Sequence, residues 1–272
     1  LGTPAAPTKR ALRRYLAQFL SDPRVVDVNP LIWQPILRLF VLTRRPARSA
    51  ALYRRIWTDA GSPLMVHSRA QMAGLQARLG PGFTVALGMR YGEPGIGQAM
   101  EKLTAAGVER ILVFPMFPQF SCSTTGSIYD AASVAARGRR CPLFFDRRRA
   151  MPALRYVPPY FDDPLYVDAL RATIAADLSA WETTPDHFLF TFHGLPRRYV
   201  DEGDPYLGQC ESTAALLATA LGLRDDQWQV SFQSRFGREE WLQPYTDDVL
   251  DSLGRAGVQH LAAACPGFTA DC

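Results

Sequence analysis

"FTVALGMRYGEPGIGQAMEKLTAAGVERILVFPMFPQFSC" occupies residues 83–122, and its plan returns at 228–272 in "WQVSFQSRFGREEWLQPYTDDVLDSLGRAGVQHLAAACPGFTADC". Each copy reads as strand, Arg-aromatic-Gly, helix, Ala-Gly-Val turn, strand, Phe-bearing loop and Cys. Arg90 matches Arg235 and Gly92 matches Gly237 at an offset of 145 residues, whereas Gly107/Gly257 and Cys122/Cys272 are offset by 150. A five-residue length change, assigned to the helix, reconciles the two offsets. A repeat of this size constrains the architecture before any element is assigned. The runs "TVALGM", "RILVFP", "HFLFTF", "QVSFQS" and "VQHLAAA" alternate with helical stretches, the pattern of parallel sheets flanked by helices on both faces. The expected fold is α/β in two similar lobes, residues 1–149 and 150–272.

Other features narrow the class. The chain has 272 residues, 47% of them hydrophobic, enough for a full core. It contains no apolar run of about 18 residues that would span a bilayer. It opens at Leu1 without a signal-type stretch, so the cytoplasm is expected. The five cysteines include no C-x-x-C pair and read as reduced thiols. The net charge of +4 owes much to Arg137, Arg139 and Arg140 and to Arg147, Arg148 and Arg149, on either side of the strand-like "PLFF". No aromatic-basic interleaving or binding motif accompanies them, so nucleic acid is not an expected partner. They read as a solvated face, or else as an attraction for acidic lipid or a carboxylated ligand.

The first half is longer than the second. "LGTP" (1–4) resembles "HGLP" (193–196), with Leu1 at the position of His193 and an offset of 192, so the first half carries 47 extra residues. They fall within about residues 5–63, before a helix that starts near Leu64. The inserted "NPLIWQPILRLFVLTRRPARSAALYRRIW" reads as two amphipathic helices rich in Trp33, Ile36, Leu37, Phe40 and Trp57. One reading is a cap packed on its own lobe. The other is an apolar lip over a ligand cleft between the lobes, with Arg44, Arg45, Arg54 and Arg55 at its rim. A helix at about 124–138 and a strand at 142–145 follow Cys122, whereas nothing follows Cys272, and no strand precedes "LGTP". The chain therefore reads as lacking both ends.

"FLFTFHGLP" (188–196) closes a buried strand with an imidazole. Ligands in open α/β sheets bind beyond the carboxyl ends of the strands, which gives His193 a position suited to a base or metal ligand near neutral pH. His67, His187 and His260 read as structural. Zincin, P-loop and G-x-S-x-G patterns are missing, and Pro94 interrupts the glycine-rich "GEPGIG". "FSCSTTGS" (120–127) offers either simple capping or anion-binding groups at a helix N-terminus.

"FPQFSCSTTGS", "FHGLPRRYVDEGDPY", "FQSRFGREEWLQPYTDD" and "CPGFTADC" closely resemble the ferrochelatases, nearest to their proteobacterial branch, and the likeness runs from Leu1 to Cys272. The resemblance implies two Rossmann-like lobes with a cleft between them, and insertion of ferrous iron into protoporphyrin IX. His193 takes the place of the family's catalytic and metal-binding histidine. Leu1, Arg45, Tyr53, Ser62, Arg90, Tyr91 and Trp241 take porphyrin-binding positions. Ferrous iron is a substrate and no cofactor is required. Some relatives carry an iron-sulfur cluster on a cysteine matching Cys122, but none is predicted here. The lip implies peripheral contact with the inner-membrane surface.

Iron must be held loosely if it is to be passed to the macrocycle, which favours one imidazole with a carboxylate over a cage of several ligands. The resemblance puts that carboxylate, a glutamate, at residue 274, beyond Cys272, so the chain alone is expected to be inactive and poorly stable. Two alternatives carry different expectations. A cobalt or sirohaem-type chelatase would place more histidines at the metal site. A non-catalytic two-lobe binding protein would have no metal insertion for His193→Ala to abolish.

Overall fold

The computed structural model describes residues 1–138, 151–237 and 239–270. The strand expected at 142–145, Cys141, Cys272 and the arginines at 139–140 and 147–149 lie outside them. The chain forms two compact units. The first comprises Leu1–Pro115 and Cys122–Val157 together with Ala270, and the second Met116–Ser121 and Pro158–Thr269. This differs from a single cut after residue 149, because two short segments follow their hydrogen bonds rather than their place in the sequence.

In the first unit, β1 (Gly2–Thr3) runs parallel to β2 (Tyr91–Gly92), with Gly2 opposite Tyr91 and Thr3 opposite Gly92. The approach is very close. A Cβ built on Gly92, which has φ +85°, would lie 2.3 Å from the Thr3 carbonyl oxygen, so only glycine fits. A second pair, β3 (Arg110–Val113) and β4 (Ala153–Tyr156), is also parallel and ties residues 153–156 to this unit. The insertion folds as α1 (Lys9–Phe19), α2 (Pro30–Ile36), a π-helical turn at Leu37–Val41 and α3 (Leu42–Ile56). Leu16, Leu20, Leu37 and Leu42 pack together with the half-buried Trp33, while Leu31 (85% exposed) and Leu39 (65%), with Ile32 and Phe40, face solvent. Then come α4 (Pro63–Leu79) and α5 (Ile96–Ala105), and after β3 a π-helical turn at Cys122–Gly126 leads into α6 (Ser127–Ala136). Met100, Ile111, Ala132 and Ala136 form a second core cluster.

The stretch "TVALGM" does not form the expected strand. Only Met89 makes a β-bridge, to Gly95. A strand exists through its ladder partner, and the two-residue β1 takes its partners from Tyr91 and Gly92. Among the described residues nothing pairs along 84–88.

The second unit has the sheet order β6-β5-β7, all parallel, with β5 (His187–His193) between β6 (Trp228–Gln233) and β7 (Leu261–Ala264). Phe188 through Phe192 are buried without alternation, as a central strand covered on both faces requires. Phe188, Phe190 and Phe192 pack with Cys210, Ala214 and Leu217 of α9 (Tyr206–Leu221), which lies beside α7 (Pro164–Leu178). On β5 and β6, Thr191 and Ser231 hydrogen-bond Thr246 of α10 (Thr246–Arg255) at 2.8 and 2.9 Å. The segment 116–121 belongs here through polar ties. Gln119 Nε2 donates to Thr213 Oγ1 (2.9 Å), the Phe120 N–H to Gln209 Oε1 (2.7 Å) and Ser121 Oγ to Asp204 (3.0 Å).

Apart from the missing first strand of the first copy, the helix, turn and following strand recur in both copies, and the length change needs correction. Helices α5 and α10 have ten residues each, so the length change is not in the helix. It lies in the loop before it. In the first copy the Met89 N–H donates to the Pro94 carbonyl (2.7 Å), and in the second the Phe232 N–H donates to the Pro244 carbonyl (2.8 Å) across a longer loop that includes Trp241.

Candidate functional site

In the second unit, β5 delivers His193 to the carboxyl edge of the sheet, opposite Gln233 of β6. The next position requires glycine for a steric reason. A Cβ at Gly194 would come within 3.0 Å of the Gln233 carbonyl oxygen and 3.2 Å of Trp241 Cε3. The Gly194 N–H instead donates to that same Gln233 carbonyl at 2.8 Å. Residues 194–196 then turn away into the short helix α8 (Arg197–Asp201), with Pro196 bridged to Trp241.

The His193 residue is exposed, unlike the rest of its strand from Phe188 onward. Its Nδ1 lies 2.6 Å from the Gly194 carbonyl oxygen. A carbonyl accepts only, so Nδ1 carries the proton and the lone pair resides on Nε2, the atom free to take a proton or bind a metal. Although the side chain reaches solvent, the protein packed around the strand end partly desolvates the ring, which lowers its pKa from the ordinary 6.5 against the opposing effect of the bond to Gly194. The neutral form is therefore favoured near neutrality.

Trp241 packs beside it, ring centroids 6.4 Å apart, and contacts Phe236 at 5.2 Å. The indole is 7% exposed, and its Nε1 has no hydrogen-bond partner among the described residues. Gln233 Nε2 reaches the sulfur of the exposed Cys265 at 3.6 Å, just past the end of β7. Among the described residues, no three His, Cys, Asp or Glu side chains gather as a metal cage.

The other sequence-predicted residues lie in the first unit. The Leu1 carbonyl accepts the Tyr91 N–H at 3.0 Å, which brings Leu1, Tyr91 and Arg90 together. Tyr91 is 1% exposed, so its ring is core, and its hydroxyl donates to Asp22 at 2.7 Å. Burial, with smaller effects from its partners, raises the pKa of that phenol. Arg90 ion-pairs with Asp22 and donates from Nε to Ser127 Oγ at 2.6 Å. Arg45 is exposed on α3, and Tyr53, on the same helix, is half-buried edge-on to Trp57 at 6.3 Å. Ser62 is buried as the N-cap of α4, accepting the Met65 N–H at 3.3 Å.

Sequence reasoning missed Asp22 and Ser127, the partners of Arg90 and Tyr91. Asp22 sits in an ordinary-looking "SDP" turn, and Ser127 ends a hydroxyl-rich run that reads as capping; neither carries a local signal. Cys122 is engaged as well, its sulfur accepting from Arg24 Nη1 at 2.8 Å.

These features describe an α/β protein with one exposed imidazole at a strand end and, among the described residues, no cluster of three metal-ligating side chains. A family model described as Ferrochelatase matches residues 1–272. Ferrochelatase 1 of Shewanella oneidensis is 48% identical over 278 residues, an alignment covering 100% of this chain and 80% of that protein. Ferrochelatase of Edwardsiella ictaluri is 48% identical over 272 residues, with 100% and 81% covered. The chain belongs to the ferrochelatase family.

Proposed function

We propose that this protein is a protoporphyrin ferrochelatase, a lyase of haem biosynthesis that inserts ferrous iron into protoporphyrin IX. The observation that carries the residue-level reading is His193, exposed at the end of a buried strand, with Nδ1 committed to the Gly194 carbonyl and Nε2 unencumbered. Insertion requires two pyrrole N–H protons to leave while the metal sheds water. A neutral imidazole can accept such a proton, and as a single ligand it can hold iron briefly and release it. Trp241 gives the imidazole an apolar wall. Leu1, Arg45, Tyr53 and Ser62 are proposed porphyrin-binding residues. Tyr91 contributes from behind, because its side chain is buried, and Arg90 through the part of its guanidinium that is not tied to protein. Iron is a substrate, and the reading calls for no resident cofactor.

A cytoplasmic protein with peripheral contact at the inner membrane is part of this proposal. No helix among the described residues is long and apolar enough to cross a bilayer. The exposed Leu31, Ile32, Leu39 and Phe40 supply apolar surface, and the neighbouring Arg38, Arg44 and Arg48 supply charge attracted to anionic lipid. Co-sedimentation with phosphatidylglycerol vesicles that vanishes on Leu31→Glu/Phe40→Glu supports this contact, and unchanged sedimentation refutes it.

The activity itself is tested by adding ferrous iron anaerobically to full-length protein with protoporphyrin IX and following the porphyrin's absorbance. Conversion by the wild type and its loss in His193→Ala are expected. Equal conversion by both would overturn the assignment of His193, and none by the wild type would overturn the activity.

A further inference from the structure

Asp22 lies in the turn after α1, at the root of the inserted helices, and its side chain is 3% exposed. Both of its oxygens are used. Oδ1 accepts the Arg24 N–H at 2.9 Å, and Oδ2 accepts the Tyr91 hydroxyl at 2.7 Å, the Ser127 hydroxyl at 2.6 Å and Nη2 of Arg90. Arg90 Nε is bound in turn to Ser127, at 2.6 Å to Oγ and 3.1 Å to the carbonyl. The Nε and Nη2 side of the guanidinium is thus held, and the plate lies over the Tyr91 ring at 4.7 Å. Nη1 has no protein partner among the described residues. A guanidinium is a rigid planar fork, so holding one edge fixes the direction of the remaining donors.

Asp22 has an anchorage of its own. Arg24, two residues on, bonds Asp130 at 2.5 Å and Cys122 at 2.8 Å. Its side chain lies across Gly126, where an added Cβ would come within 3.4 Å of Nη1. The turn 22–24 is therefore pinned to the helical run 122–136 at points that do not involve Arg90. A carboxylate fixed in this way can orient Arg90 rather than follow it.

We propose that Asp22 is a positioning residue for Arg90. By clamping one edge of the guanidinium, it aims the Nη1 donors at an anionic group of the tetrapyrrole and sets porphyrin affinity without touching the porphyrin. This rests on the function proposed above.

The test is a double-mutant cycle in full-length protein with Asp22→Asn, Arg90→Gln and the pair. Protoporphyrin Kd is read by fluorescence quenching, with kcat, KM and thermal stability measured alongside. Asp22→Asn is expected to weaken porphyrin binding about tenfold, in the range of couplings within one hydrogen-bond network. It should raise KM far more than it lowers kcat, and it should change Kd less than about twofold once Arg90 is Gln, since additivity is lost between members of one network. Equal weakening in both backgrounds, or lost stability with unchanged Kd, would overturn the proposal. Should Asp22→Asn fail to fold, Ser127→Ala removes a milder tie, and the same dependence on Arg90 must hold. A wild-type protein that binds no protoporphyrin overturns the function and this inference together. One that binds it while the cycle is additive overturns only the inference.

Discussion

Iron insertion should fail in His193→Ala and, in the wild type, should follow a pH limb set by the same ring. Nδ1 is held by the Gly194 carbonyl at 2.6 Å, so neutral His193 presents Nε2 as the basic atom. Partial desolvation by the protein packed around the strand end lowers its pKa below 6.5. An unshifted imidazole would be about three-quarters neutral at pH 7 and about half neutral at pH 6.5. His193 must exceed both fractions, so more than half of the plateau activity should survive at pH 6.5, with the fall centred at lower pH. Loss of a positioned proton acceptor typically reduces turnover about 10²–10⁴-fold, and the alanine variant should show both that loss and the disappearance of the limb. The assay is kcat/KM for protoporphyrin between pH 5 and 8 at fixed ferrous iron, without oxygen. A limb centred at or above 6.5, or one that persists in His193→Ala, would refute the assignment of the titrating group.

Gly194→Ala should lower both thermal stability and iron insertion. The new methyl sits 3.0 Å from the Gln233 carbonyl and 3.2 Å from Trp241, and overpacking of this kind costs about 1–3 kcal/mol, here beside the carbonyl that orients His193. Leu217→Ala, at a fully buried position against the β5 phenylalanines, should cost about 2–5 kcal/mol in denaturant unfolding without moving the midpoint of the pH limb. For Asp22, burial raises the pKa, but the bonds from Ser127, Tyr91 and Arg24 and the charge of Arg90 outweigh it, leaving the pKa below 3.8. Its carboxylate therefore contributes stability that is present above pH 3.8 and lost as pH falls through the lower folded value. The stability difference between wild type and Asp22→Asn, from urea unfolding at pH 3 and pH 6, should be smaller at pH 3; an equal difference would refute the ionised clamp.

The second unit was the more legible in sequence because its decisive signals are local. An uninterrupted apolar run, an imidazole, then Gly and Pro mark the strand and its end within nine residues, and the structure supplies the strand at His187–His193. "TVALGM" carries a comparable local signal, yet pairs only at Met89, since strand propensity is realised only where a neighbouring backbone exists. Asp22 was illegible for the opposite reason: its partners Arg90 and Ser127 are 68 and 105 residues away, and no periodicity reports a contact at that range.

The repeat was legible, but its length change was misplaced, and the correction bears on function. Both copies keep a ten-residue helix and an N–H bond to the proline carbonyl before it. The extra residues of the second copy enter between that bond's two ends, where the chain has room to reach Pro196 with Trp241. The Trp241 ring then meets His193 and abuts the position where Gly194 has no Cβ. In the first copy the shorter loop lays Tyr91 and Gly92 against Gly2 and Thr3, leaving no gap for a side chain. One supersecondary plan therefore gives a sealed joint in one unit and an imidazole walled by indole in the other, and the loop length before the helix decides which.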